Sequence, residues 1–168
     1  MKNEKKTKVF LVDDDAIFLK VLETQFKERT NYDVKVFSTG EECLRNLYQK
    51  PDIIFLDYYL NPENAKQTGL KILDTIKIVD PKIHVVMLSS QDSIELAINC
   101  MKHEAFDYIV KSEAVFMRAQ KAIHHIFDRQ EMEKELNFSK TASIILAVLV
   151  PTIILVAIYM QIHYPGIM

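Results

Sequence analysis

Five side chains that could carry out chemistry each follow or end a short apolar run in this sequence. They are the acids Asp13, Asp14 and Asp57, the hydroxyl of Ser89 and the ammonium group of Lys111. Carboxylates brought together repel one another, and their pKa values rise unless a cation neutralises them. Ligands that are all oxygen suit Mg²⁺, and a carboxylate can attack phosphorus to form an aspartyl phosphate. These residue types predict a phosphoryl site, in which the hydroxyl and the ammonium group hold phosphoryl oxygens.

The apolar runs predict the strands that position these side chains. Runs over residues 8–12, 53–57, 84–88 and 107–110 read as buried strands, and an alternating run at 34–37 reads as a strand nearer the sheet edge. Five predicted strands alternate with five predicted helices, which is typical of a doubly wound α/β domain with a parallel sheet. The carboxyl ends of parallel strands meet at one edge, so we expect the five side chains to converge there.

The spacing of apolar residues predicts which face of each helix packs on the sheet. In the fourth predicted helix, Ile94, Ala97, Ile98 and Met101 recur at helical spacing and are expected to face the core. Cys43 and Cys100 lie on predicted helices without a CxxC spacing, and we expect both to be reduced core thiols. A net charge of −2 favours no nucleic-acid partner.

The C-terminal region differs in composition from the rest of the chain. Between Ala142 and Met160 no residue is charged, and 19 residues span about 28 Å as a helix, close to a hydrocarbon core of about 30 Å. We therefore expect a transmembrane helix over 141–161, preceded by a charged helical linker over 128–140, with a buried core helix as the alternative. Lysines and arginines precede this segment and none follows it, which predicts a cytoplasmic N-terminal domain. The N-terminus has no signal-peptide pattern.

Four short motifs carry a resemblance to a known family. They are Val12-Asp13-Asp14, Ile54-Phe55-Leu56-Asp57, Met87-Leu88-Ser89-Ser90 and Phe106-Asp107-Tyr108-Ile109-Val110-Lys111. In this order, and at alternating strand ends, they resemble the receiver domain of two-component response regulators, over about residues 7–127. The resemblance implies a flavodoxin-like fold of five parallel strands.

The resemblance also implies roles for the acidic residues. Asp57 would be the phosphoacceptor, and Asp13 and Asp14 would organise Mg²⁺ together with Asp57. The backbone carbonyl of Tyr59 would add a further metal ligand. Such a protein is a signalling domain rather than an enzyme, and it receives its phosphoryl group from a sensor histidine kinase or a phosphotransfer protein.

Three further residues match positions that respond to the phosphoryl group in this family. Ser89 matches the switch hydroxyl, Lys111 the lysine that pairs with the phosphate, and Tyr108 the aromatic switch. The resemblance implies an altered surface on the fourth helix, fifth strand and fifth helix, read by a partner or transmitted by a homodimer. With no recognisable DNA-binding region following the receiver, we expect a stand-alone receiver anchored to a membrane.

Two departures from the family pattern stand out. The distance from Asp57 to Gly69, which opens the third predicted helix, is longer than usual and places an insertion at 61–68 beside the site. Glu104 stands where glycine is common. Neither departure removes a chemical group.

Two alternative functions remain at this point. The stretch from Asp13 to Ile17 nearly matches the nucleophile motif of haloacid-dehalogenase-like phosphatases, with Asp13 as the nucleophile. Such an enzyme needs a second acidic pair beyond Lys111 and leaves Asp57 unexplained. The other alternative is a membrane adapter with a receiver fold that does not signal, against which the complete acid, hydroxyl and lysine set argues.

Overall fold

Five parallel strands form one sheet in the computed structural model, which describes the backbone of residues 6–60 and 68–163. The strand order is β2-β1-β3-β4-β5. The strands are β1 (Lys8–Val12), β2 (Asp33–Phe37), β3 (Ile53–Asp57), β4 (His84–Ser89) and β5 (Asp107–Val110). The predicted fold class, a doubly wound parallel sheet, is confirmed over the residues that carry these five strands.

Each of the first four strands is followed by a helix that returns the chain to the amino edge of the sheet, and the fifth strand is followed by the last helix. The helices are α1 (Ala16–Arg29), α2 (Gly40–Arg45), α3 (Gly69–Val79), α4 (Ile94–Lys102) and α5 (Val115–His163), with a short 3-10 turn at Leu47–Gln49. Side-chain caps fix where several of them begin. Asp15 Oδ1 accepts hydrogen bonds from the amides of Ile17 and Phe18, at 2.9 and 3.0 Å, and so caps α1.

The core has two layers because the sheet is covered on both faces. One layer joins β1, β3 and β4 to α2, α3 and α4, and it contains the free thiols of Cys43 and Cys100, both fully buried as expected. In the other layer the ring of Phe26 on α1 lies 5.7 Å from Phe55 on β3 and 5.2 Å from Phe116 on α5. Burial on both faces explains why β3 is a continuous apolar run.

The face of α4 that packs on the sheet carries Cys100, which was predicted to lie in the core, and not the apolar stripe of Ile94, Ile98 and Met101. Ile94, Ile98 and Met101 are exposed, whereas Cys100 is buried and Leu96 is partly buried against the core. The helix carries two apolar stripes, and spacing alone could not tell which one faces the sheet.

The residues up to His163 belong to α5 and not to a separate helix. Internal contacts divide the chain into two units, Met1–His124 and His125–Met168. Over the residues that the structure describes, none of the helices has an apolar stretch long enough to cross a membrane. The transmembrane helix predicted over 141–161 therefore lacks structural support, and the side chains of residues 142, 144 and 155–161 in it lie outside the described residues. The boundaries 7–127 and 128–140 stay predictions.

Candidate functional site

The acids of the predicted site lie at the point where the strand order reverses. Asp13 follows β1 and Asp57 ends β3, and these two strands are neighbours in the centre of the sheet. Open α/β sheets bind their ligands in the crevice that forms at this switch point. Asp13 and Asp57 are buried and Asp14 is exposed, and one carboxylate oxygen from each lies within 4.8 Å of the others. The structure thus brings together the three predicted carboxylates.

Lys111 reaches the same cluster from the end of β5. Its Nζ lies 2.6 Å from Asp13 Oδ2 and 2.9 Å from Asp57 Oδ1, and only 14% of the side chain is exposed. The ammonium group also lies 4.8 Å from the ring centroid of Phe18, a cation–π distance. The carboxyl ends of three strands, β1, β3 and β5, therefore place charged groups in one crevice.

One lysine does not offset the burial of these acids. Burial, followed by the charge of Asp57, raises the pKa of Asp13 to about 6, although Lys111 opposes the rise. Burial raises the pKa of Asp57 as well, with Lys111 lowering it and Asp14 raising it further. Burial also acts to lower the pKa of Lys111, but its contacts with both aspartates outweigh burial and raise it. The crevice is thus short of positive charge.

The donor set fits Mg²⁺. Asp13 Oδ1 accepts a hydrogen bond from the amide of Asp15 at 3.1 Å. In contrast, Asp13 Oδ2 is buried and accepts no well-aligned hydrogen bond in the described structure, although Lys111 lies beside it. A buried carboxylate oxygen facing two other carboxylates is suited to a hard divalent cation with oxygen ligands. Tyr59 lies in the turn after β3, and the metal contact of its carbonyl stays a prediction.

Ser89 and Tyr108 lie on the next two strands, and both contact a residue that the sequence did not single out. The buried Ser89 Oγ accepts a hydrogen bond from the amide of Gln91 at 3.1 Å. The hydroxyl of Tyr108 donates to the carbonyl of Gln91 at 2.6 Å, and that of Tyr59 donates to Gln91 Oε1 at 3.1 Å. The only sequence signal for Gln91 is its position two residues after Ser89 in the loop before α4.

Gly69 fixes the other side of the site. Its amide donates to the carbonyl of Tyr58 at 2.9 Å, and a Cβ on this residue would collide with the backbone carbonyl of Asp57. The first turn of α3 therefore packs directly on the end of β3. The insertion predicted at 61–68 lies outside the described residues except for Thr68.

The fold and the site together define a doubly wound α/β domain with an acidic crevice at the carboxyl edge of its sheet. Residues 9–136 match the model of the response regulator receiver domain, and the chain belongs to this family. Receiver domains are signalling domains that interact with histidine kinases or phosphotransfer proteins. The alternative of a haloacid-dehalogenase-like phosphatase finds no support in this match.

Curated relatives are longer proteins. The chain is 27% identical over 128 residues to the nitrogen assimilation regulatory protein NtrX of Azorhizobium caulinodans, covering 74% of this chain and 28% of that protein. It is 32% identical over 104 residues to a putative NtrX-like response regulator of Rickettsia bellii, covering 61% of this chain and 21% of that protein. The chain thus spans about a quarter of the length of these relatives.

Solved structures share the fold. The signal receiver domain of a putative LuxO repressor from Vibrio parahaemolyticus aligns with a TM-score of 0.67 at 23% identity, covering 79% of this chain and 98% of that one. A receiver domain of DrrB, described as BeF3 activated, aligns with a TM-score of 0.60 at 25% identity, covering 71% and 99%.

Proposed function

We propose that this protein is a response regulator that accepts a phosphoryl group on Asp57 from a phosphohistidine of a sensor histidine kinase or phosphotransfer protein. Asp13, Asp14 and Asp57 hold Mg²⁺, with the Tyr59 carbonyl as a further ligand. The observation that carries the proposal is the convergence of two buried aspartates on Lys111, at 2.6 and 2.9 Å. A buried nucleophile beside fixed positive charge is the arrangement that phosphoryl transfer requires.

The transfer is a displacement at phosphorus. A carboxylate oxygen of Asp57 forms a bond to phosphorus while the phosphorus–nitrogen bond to the donor histidine breaks, and the imidazole nitrogen takes the electron pair. Bound Mg²⁺ supplies positive charge to the phosphoryl oxygens. Lys111 stays beside the carboxylate and stabilises the added negative charge, and the burial of Asp57 limits access of water.

The signal leaves the site through Ser89 and Tyr108. Ser89 turns its hydroxyl toward a phosphoryl oxygen. Tyr108, which is hydrogen-bonded to Gln91 in the loop after Ser89, transmits the change to the surface near α4. The exposed apolar side chains of Ile94, Ile98 and Met101 support an output through this surface, to a partner or to a second copy in a homodimer. Sedimentation of the protein alone, with and without beryllofluoride in place of the phosphoryl group, shows whether it forms a homodimer and so distinguishes these two outputs.

Labelling of Asp57 tests the proposed function. With a small acyl-phosphate donor and Mg²⁺, wild type is expected to acquire one phosphoryl group that hydroxylamine removes, because acyl phosphates react with it. Asp57→Asn is expected to acquire none, whereas Asp33→Asn, an exposed change at the start of β2, labels like wild type. Labelling of Asp57→Asn, or no labelling of wild type, contradicts the proposal, and the latter favours an adapter that does not signal.

Turnover of a phosphomonoester separates the proposal from a phosphatase. Because Asp57 rather than Asp13 is the proposed nucleophile, and the protein releases no product from a monoester, p-nitrophenyl phosphate is expected to stay intact. Turnover that Asp13→Asn abolishes and Asp57→Asn retains would favour the phosphatase.

We propose in addition that the C-terminal part of α5 attaches the protein to a membrane, with the receiver domain cytoplasmic. Support comes from the uncharged sequence between Ala142 and Met160, and from the described large apolar side chains at positions 145–154, which are all exposed. A helix that is apolar on every side is typical of membrane or deeply buried helices. The full chain is expected to sediment with membranes and a variant lacking residues 141–168 to stay in the supernatant. A soluble full chain contradicts this proposal.

A further inference from the structure

An open cavity of about 560 Å³ lies at the amino edge of the sheet, the edge opposite the acidic crevice. The residues that line it are Lys6, Lys8, Lys27, Tyr32, Asp33 and Val34. Lys8 and Asp33 are the paired first residues of β1 and β2, and Lys27 lies in the last turn of α1. The length of β1 separates the cavity from Asp13, a distance of about 17 Å for five residues in a strand. The cavity is therefore separate from the candidate phosphoryl site.

The lining of this cavity carries more positive than negative charge. The ammonium group of Lys27 lies 2.6 Å from Glu23 Oε1, so its charge is already paired. The ammonium group of Lys8 donates to a neutral backbone carbonyl, and Lys6 forms no ion pair in the part of the chain that the structure describes. Among the lining residues only Asp33 is acidic. Two lysines therefore face one aspartate, and the excess favours an anion.

Two of the lining residues are held in place without any ligand. The amide of Lys8 donates to Asp52 Oδ2 at 2.8 Å, and its Nζ donates to the carbonyl of Gln49 at 2.6 Å. The ring of Tyr32 packs beside buried Phe26, with the ring centroids 6.3 Å apart. Because side chains that are already fixed lose little conformational entropy on binding, these contacts favour a ligand.

The hydroxyl of Tyr32 adds an uncharged donor to the lysines. It forms no hydrogen bond within the described part of the chain. Burial raises the pKa of Tyr32, which keeps the hydroxyl protonated and able to donate. Ammonium and hydroxyl groups are donors suited to phosphate oxygens. The volume is typical of a small-molecule site, and the ring of Tyr32 with Val34 gives it an apolar wall.

We propose that this cavity, named the lysine cavity, binds a phosphate-bearing anion, either a soluble small molecule or a lipid headgroup. The three lysines and the Tyr32 hydroxyl hold the phosphate oxygens, and the apolar wall contacts the uncharged part of the molecule. The Asp33 carboxylate repels the anion and limits its affinity. This site goes beyond the proposed function, because it lies at the other edge of the sheet and does not require phosphorylation of Asp57.

Titration of the full chain with inorganic pyrophosphate, followed by calorimetry, tests the site. EDTA is present throughout, because the acidic crevice without Mg²⁺ carries net negative charge and repels the anion. Wild type is expected to bind, and added salt is expected to weaken binding by screening. Lys6→Gln and Lys27→Gln are each expected to raise the Kd about fivefold, the effect of one lost charge-assisted hydrogen bond at an exposed position.

Two further variants separate binding from a loss of structure. Asp33→Asn removes the opposing carboxylate and is expected to lower the Kd about fivefold, a gain that damage to the fold would not give. Lys102→Gln removes the same charge from an exposed position on α4, outside the cavity, and is expected to leave the Kd unchanged. A Kd unchanged in both Lys6→Gln and Lys27→Gln, or raised by Asp33→Asn, overturns the proposal while the proposed function stands.

Vesicle sedimentation distinguishes the two sources of the anion. Phosphatidylcholine vesicles with and without phosphatidic acid are compared, because the headgroup of phosphatidic acid is a phosphate monoester. For a lipid ligand, wild type binds the acidic vesicles more strongly and Lys6→Gln loses that gain. Equal binding to both vesicles, together with lysine-dependent binding of pyrophosphate, identifies a soluble ligand. Neither a preference for acidic vesicles nor binding of pyrophosphate by wild type overturns the lysine cavity as a site.

Discussion

Asp13 is the site residue whose buried charge is least well compensated by neighbouring groups. Its carboxylate is fully buried, shares Lys111 with Asp57 and has one oxygen without a well-aligned donor in the described structure. Its pKa of about 6 exceeds the ordinary value of 3.8. The folded protein therefore takes up a proton at a higher pH than the unfolded chain does.

The pH dependence of stability follows from this difference. The stabilising contribution of protonated Asp13 is complete below about pH 4 and is lost as the pH rises through about 6. Without metal, wild type is expected to lose about 2 kcal/mol of unfolding free energy between pH 4 and 7 relative to Asp13→Asn, since one pKa unit corresponds to about 1.36 kcal/mol. Urea unfolding at several pH values measures this. Equal slopes for the two proteins would contradict the assignment, and Asp33→Asn serves as the control.

The charged residues of the site could be predicted from the sequence for a physical reason. Asp13, Asp57 and Lys111 follow strands that are recognisable as apolar runs, and parallel strands must deliver their ends to one edge. Gln91 could not be found in this way. Two of its three contacts use backbone atoms, and the third depends on the conformation of a loop.

At the scale of the element, close packing of α3 on β3 shapes the site. Gly69→Ala places a methyl group against the backbone carbonyl of Asp57, which cannot rotate away, and is expected to cost about 3 kcal/mol of unfolding free energy. Gly40→Ala places its methyl group 2.5 Å from the side chain of Ile72, which can change rotamer, and is expected to cost about 1 kcal/mol. Chemical denaturation of both variants measures the difference. A cost for Gly40→Ala equal to or above that for Gly69→Ala would contradict this ranking of the two contacts.

Element boundaries were predictable where a single pattern dominates. Strand β1 and strand β5 lie at the predicted residues. The prediction that Ile94, Ile98 and Met101 on α4 face the core was wrong. They form a regular apolar stripe, but it lies at the surface. Periodicity reports amphipathic spacing, but it does not tell which of two apolar stripes on a helix faces the sheet.

For the whole molecule, Mg²⁺ is expected to stabilise the folded state, because only the folded chain brings the three carboxylates together. At a concentration about one hundred times its Kd, the ion adds about 2.7 kcal/mol. Thermal unfolding with Mg²⁺ and with EDTA measures this for wild type and Asp33→Asn, which are expected to respond alike. An equal response of Asp13→Asn would place the ion elsewhere.

The cluster of three carboxylates and Lys111 has a consequence for the choice of ion. When the three carboxylates and the lysine are all charged, the crevice carries two net negative charges, which a single divalent cation balances. One such ion brings the crevice to neutrality, and a second would leave it positive before any phosphoryl group arrives. Under the proposed function, the lysine would therefore favour one bound ion over two, and its own positive charge lies beside Asp57 whether or not an ion is bound.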